Sequence, residues 1–102
     1  MKTIAMPEIE RLYHERDPKG HWFDEASVRF FRTHLPARGL QAANGVVVFV
    51  TSEIDVDNHR RYNVRRMDAR GHIDTVGDYC HIDTHAQAVR EAAKVAQLEE
   101  LQ

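Results

Sequence analysis

Apolar positions along this 102-residue chain follow several spacings, and each predicts a different element. Ile9, Leu12 and Tyr13 lie three and four apart behind Pro7, which suits a first helical turn because its missing N–H is one that a helix start leaves unpaired. The spacing predicts a short helix over residues 7–15, stopped by Asp17-Pro18-Lys19-Gly20. Val28 to Leu35 has the β-branched and aromatic content of a strand, with Val28, Phe30 and Arg32 on one side and Arg29, Phe31 and Thr33 on the other. Pro36 ends it, and the segment to Ala43 reads as a loop. Val46 to Ile54 is the central strand, apolar on both faces as far as Val50 and polar at Thr51-Ser52-Glu53. In Arg60 to Met67, Tyr62, Val64 and Arg66 alternate with Arg61, Asn63, Arg65 and Met67, which predicts a strand with one mostly solvated face.

The punctuation between these runs is turn chemistry. Asn44-Gly45 is the strongest turn sequence in the chain, and Asp55 to His59 supplies another turn. Asp68-Ala69-Arg70-Gly71 predicts a type I turn with glycine last, closing a hairpin onto His72 to Val76. Thr84-His85-Ala86-Gln87 fits a capping box, and Val89, Ala92, Ala93 and Ala96 follow at helical spacing. Their small side chains would let a C-terminal helix approach a sheet closely. Trp22 and Phe23, in the connector after the first helix, predict an aromatic cap over the core. The chain is therefore expected to be a single α+β domain over residues 1–102. Its predicted architecture is an antiparallel three- to four-stranded meander packed with a C-terminal helix, plus a short N-terminal helix.

Composition narrows the class without naming a reaction. The chain is 42% apolar and 29% charged, and no apolar run approaches the roughly 20 residues of a membrane span. The start MKTIAMPEIERLYHER lacks the apolar core and small-residue cleavage site of a secretory leader. Cys80 is the one cysteine, so no internal disulfide ties the chain to an oxidising compartment, and a cytoplasmic setting is expected. The formal charge of −2 is unevenly spread: residues 28–72 carry eight basic and four acidic side chains, whereas residues 73–102 carry two and six. Either a basic face lies on an acidic molecule, or basic strands are neutralised by neighbouring acids such as Glu53, Asp55 and Asp57.

Side chains capable of chemistry crowd at one place. The tetrapeptide His-Ile-Asp-Thr occurs at residues 72–75 and again at 81–84, the second copy between Cys80 and His85. On an extended strand His81, Asp83 and His85 would share a face and present nitrogen and oxygen ligands to a divalent metal, as in a metal-dependent hydrolase. A helix capped at Thr84 would turn His85 away, so surface histidines at a strand-to-helix junction are the preferred reading, with no metal and no cofactor. Cys80 and His81 are sequence neighbours and point to opposite faces, so they do not form a catalytic pair. The arginines at 29, 61 and 65, near Tyr62 or Phe30, suggest a second alternative, a sheet that binds phosphate and stacks bases. No phosphate loop, zinc-finger spacing or helix-turn-helix accompanies them.

Phe30-Phe31, Phe49-Val50-Thr51-Ser52-Glu53, Arg61-Tyr62-Asn63-Val64-Arg65 and Ile73-Asp74-Thr75-Val76-Gly77 occur in an order that resembles small uncharacterised proteins of bacteriophages and other mobile elements, over about residues 22–96. No activity comes with the resemblance, and the cluster at residues 80–85 departs from it. Small accessory proteins of that kind often bind and block host machinery, including CRISPR and other defence complexes. The resemblance thus implies a non-enzymatic protein whose partner is a host protein complex, with nucleic acid as the lesser alternative and no membrane involved. Arg61, Tyr62 and Arg65 are the expected contact residues, with Asp78 and Asp83 as an acidic alternative surface.

Overall fold

The computed structural model describes residues 1–102. In chain order its elements are β1 (Lys2–Ala5), α1 (Met6–Arg16), α2 (Glu25–Phe30), β2 (Thr33–His34), β3 (Arg38–Gln41), β4 (Val47–Ile54), β5 (Arg60–Met67), β6 (Ile73–Val76) and α3 (His85–Glu100). The α+β class and the antiparallel sheet with one helix near each end of the chain are as the sequence predicts. β4 and β5 pair over their whole length, with Val47 opposite Met67 and Ile54 opposite Arg60. The sheet runs β1-β3-β4-β5-β6, and β2 pairs with the other end of β4 from β3.

Alternation along β4 and β5 sorts the core into two clusters, one on each face of the sheet. Val48, Val50 and Val64, with Val46 just before β4, pack with Ile82 against Ala88, Ala92 and Ala96 of α3. The four-residue spacing of those alanines is one helix face, and the absence of bulk lets the helix lie close to the valines. Val47, Phe49 and Met67 point the other way, onto Met6, Ile9 and Tyr13 near and along α1. Trp22 and Phe23 close that side as expected, with ring centroids 5.7 and 6.0 Å from that of Phe49.

The turns use one device three times. Asp55 Oδ1 accepts from the backbone N–H groups of Asp57 and His59 at 3.0 and 3.1 Å. Asp68 Oδ1 does the same for Arg70 and His72 at 2.9 and 3.0 Å, and Asn44 Oδ1 accepts from Val46 at 3.0 Å. Each short side chain takes over acceptor work that the reversing backbone cannot supply. Thr84 caps α3, its hydroxyl accepting from the Gln87 N–H at 3.2 Å.

Four details differ from the sequence reading. Residues 28–35 are not one strand: α2 ends at Phe30, Arg32 takes a positive φ of 56°, and only Thr33–His34 is extended. Glu25-Ala26-Ser27 begin a helical turn, and no residue of α2 is buried, so no core partner selects the strand instead. The segment expected as a loop holds β3, which with β4, β5 and β6 makes the four-stranded meander, while β1 adds a further strand. β5 has no mostly solvated face, because Val64 is covered by α3 and Asn63 and Met67 are buried on the other side. On α3 the inward stripe includes Ala88, and Val89 is 46% exposed.

Candidate functional site: a cleft floored by a buried ion pair

Cross-strand pairing on the α1 face brings together side chains far apart in sequence. Glu53 near the end of β4 stands opposite Arg61 and beside Thr33 of β2, and Arg65 stands opposite Phe49 and Thr75. The Arg65 guanidinium donates from each of its three nitrogens. Nε donates to Thr51 Oγ1 at 2.9 Å, Nη1 to Thr75 Oγ1 at 2.5 Å and Nη2 to Glu53 Oε1 at 3.1 Å. The two side chains of this ion pair are only 11% and 9% exposed. The other carboxylate oxygen of Glu53 accepts from the Tyr79 hydroxyl.

Aromatic rings complete the setting. The guanidinium carbon of Arg65 lies 5.6 Å from the Trp22 ring centroid and 5.7 Å from that of Tyr79, within reach of cation–π attraction. The Tyr79 ring is 56% exposed, yet its hydroxyl end is desolvated. That burial, and then the adjacent Glu53 carboxylate, push its pKa well above the ordinary phenol value, so it remains a neutral donor. Above these groups opens a cleft of about 490 Å³, lined by Trp22, Val28, Phe31, Thr33 and Tyr79 over the Glu53–Arg65 floor. Phe31 is 56% exposed, and Phe30, whose ring centroid is 5.1 Å away, is 80% exposed.

Asn63 anchors one wall. Its side chain is fully buried, its Oδ1 accepts from the Cys80 N–H at 2.6 Å, and its Nδ2 donates to Cys80 Sγ at 3.5 Å. This clasp fixes Cys80 with a positive φ of 54° and so presents Tyr79 to the cleft.

The residues singled out in the sequence fall in separate places. Arg65 is in the cleft floor. Arg61 is bound by Asp55 at 2.9 Å, by Asp57 at 3.7 Å and by Asp83. Tyr62 points to the α3 face, where its ring meets that of His85 at 5.8 Å, so it does not share a face with Arg61 and Arg65. Asp78 is exposed at the turn beside Tyr79, and Asp83 is exposed except for its contact with Arg61. Arg29 is on α2, paired with Glu25.

His81, Asp83 and His85 do not converge, and no three His, Cys, Asp or Glu side chains stand together as a metal-ligand set. The chain bends between them because Ile82 is drawn fully into the core and bridges Tyr62, whose N–H donates to the Ile82 carbonyl at 2.9 Å. His81 Nδ1 contacts the Asp78 carbonyl instead. Sequence reasoning missed Glu53 with Tyr79 and the Asn63 clasp. The available sign was a glutamate and an asparagine set in strands among apolar residues.

Fold and site together define a small two-faced α+β sheet protein with a helix on either face and an aromatic cleft on one of them. No helix in it is long and apolar enough to cross a membrane. Residues 5–94 match the family described as "Family of unknown function (DUF7447)", and the chain belongs to it. No curated protein and no solved structure matches the chain.

Proposed function

We propose that this protein is a non-enzymatic binding protein that docks onto a partner protein through the rim of the aromatic cleft and blocks it sterically. The observation carrying this reading is the exposure of Phe31 and Tyr79, each 56%, in the lining of one concave site, with Phe30, 80% exposed, against Phe31 beside it. The six-residue α2 turns only Val28 and Ser27 partly inward, so Phe30 on it and Phe31 just after it are free for a partner. Trp, Tyr and Arg are the residue types that anchor protein interfaces, and Trp22, Tyr79 and Arg65 all line this cleft. Its floor is an ion pair already neutralised, which suits an apolar partner side chain better than a phosphate. The resemblance to phage and mobile-element proteins points to a host complex, such as a CRISPR or other defence complex, in a cytoplasmic setting. Asp78, next to Tyr79, then adds a charged edge to the rim.

The test compares the wild-type chain with Phe30→Ser/Phe31→Ser as bait in a lysate of the host cell. The wild type should retain one protein complex in stoichiometric amount, insensitive to nuclease. The double variant should lose it while keeping the wild-type circular dichroism, since truncating an anchor costs about 2 kcal/mol or more of binding. A retained species that is nucleic acid and falls away as salt is raised would favour the sheet-based nucleic-acid alternative. Undiminished capture by the double variant would sink the proposal.

A further inference from the structure

The opposite face of the sheet carries a second cavity, of about 500 Å³, whose chemistry is unlike the first. Its lining includes His34, Ser52, Arg60, Tyr62 and His85, and no carboxylate lines it. The sheet register explains the convergence. His34 of β2 is opposite Ser52 of β4, and Ser52 is opposite Tyr62 of β5, so these side chains form one row across three strands. Arg60 precedes Tyr62 by two residues and therefore projects from the same face. His85, at the start of α3, closes the row with its ring against Tyr62.

Arg60 is set apart from its neighbours on β5. Arg61, Arg65 and Arg66 each bind a carboxylate, with Glu99 serving Arg66 at 2.6 Å. Arg60 has none. Its Nη1 donates to Ser52 Oγ at 2.7 Å, and Ser52, only 3% exposed, is left with its hydroxyl hydrogen free to donate into the cavity. A free guanidinium edge, a buried hydroxyl, a phenol and two imidazoles facing one space, in a chain of net charge −2, form a local anion-selective set.

We propose that this cavity binds a small phosphate monoester. The oxyanion contacts Arg60 and the Ser52 hydroxyl, and the organic part lies along the Tyr62 and His85 rings and Pro36. The volume falls in the range of small-ligand sites and exceeds what a bare phosphate fills. The planar fork of arginine matches two phosphate oxygens at once, which a hydrated chloride cannot exploit.

Amide chemical shifts of the full-length chain, followed while inorganic phosphate or phenyl phosphate is added at constant ionic strength, test the assignment. Both probes should move the resonances of His34, Ser52, Tyr62 and His85, with phenyl phosphate binding more tightly. Arg60→Gln should weaken both by about tenfold or more, the scale of one charge-assisted hydrogen bond. Arg90→Gln, on the exposed side of α3, should leave both unchanged. Shifts that are absent, that are equally strong in Arg60→Gln, or that scatter over the surface basic residues would overturn the proposal. Equal affinity for the two probes would overturn the ester.

Discussion

Replacing Arg65 by methionine tests whether the cleft floor is a cooperative unit. The substitution keeps most of the volume but strands the Glu53 carboxylate, 9% exposed, with only the Tyr79 hydroxyl as a side-chain partner. Breaking one side of a buried pair costs about 3–5 kcal/mol. Water entering the open cleft relieves part of this, so we expect about 3 kcal/mol, including the lost contacts to Thr51 and Thr75. With a urea m value of about 1–1.5 kcal/mol/M for a domain of this size, the midpoint should fall by roughly 2–3 M. Glu53→Gln keeps one neutral acceptor, for Arg65, and turns the other oxygen into an amide donor to which the Tyr79 hydroxyl must switch to accepting, and should cost about 1–2 kcal/mol. The double variant leaves no uncompensated charge and should cost less than the sum of the single changes by about 1–3 kcal/mol. The single tryptophan, Trp22, lies 5.6 Å from Arg65, so its fluorescence reports on the site directly in urea titrations. A midpoint drop below about 0.5 M in Arg65→Met, by the same m-value relation, would refute the buried-pair account, as would strict additivity.

Gly39→Ala should lower the melting temperature, with a loss of about 1–3 kcal/mol, because its Cβ would stand 2.7 Å from the Val48 carbonyl and 2.9 Å from Phe49 Cβ; an unchanged melt contradicts the close approach of β3 to β4. Asn63→Leu deprives the Cys80 N–H of its acceptor and should cost about 1–3 kcal/mol. Amide exchange at Cys80 and thiol labelling there should both quicken, and equal rates would count against the clasp. The Arg61 guanidinium and then the backbone N–H groups of His59 and Asp57 hold the Asp55 carboxyl below its ordinary value. A carboxyl depressed in the folded state contributes stability that is full above its unfolded value, about 3.9, and is lost as pH falls through the folded value. Asp55→Asn should therefore be less stable than wild type at neutral pH, with the gap closing below about pH 4; a gap that widens on acidification would show the sign to be wrong.

Elements with strong local grammar were legible in the sequence, and those made by long-range contact were not. Val46 to Ile54, the Asp55 and Asp68 turns and the Thr84 cap each carry their cause within a few residues. β3 was hidden because Gly39 reads as a loop residue, whereas in the fold its missing side chain admits Ile9 and the β4 backbone. β1 is defined only by pairing with β3 across more than thirty residues, Ile4 opposite Gly39. At Val28 to Leu35 composition favoured a strand, but no neighbouring strand is there to pair before Thr33. The doubled His-Ile-Asp-Thr shows the same limit. Ile73 of the first copy is half-buried at the sheet edge, while Ile82 of the second is fully buried under α3. The Glu53–Tyr79 contact joins residues 26 apart, and no spacing rule reaches it.

The basic strand β5 does not become a basic face, because three of its four arginines are taken into ion pairs. Arg66 is taken by Glu99 of α3, Arg61 by Asp55, Asp57 and Asp83, and Arg65 by Glu53. With both sheet faces covered by helices, a flat stacking platform would have to be built from other residues. What β5 leaves is local and of opposite character on the two faces: a neutral aromatic cleft on one, and on the other Arg60, which has no carboxylate partner; Arg32, Arg38 and Arg70 also have none but line neither site. Thr33 and His34 of β2, Ser52 and Glu53 of β4, and Arg60 and Arg65 of β5 divide between the two sites, so these lie back to back on the same three strands. If they are independent, Arg60→Gln should weaken phosphate binding by about tenfold or more yet leave the urea midpoint read by Trp22 within about 0.5 M of wild type, since an exposed arginine bonded to a neutral hydroxyl contributes little to stability. A drop as large as that of Arg65→Met would mean that Arg60 holds β4 and β5 together and is not free for a ligand.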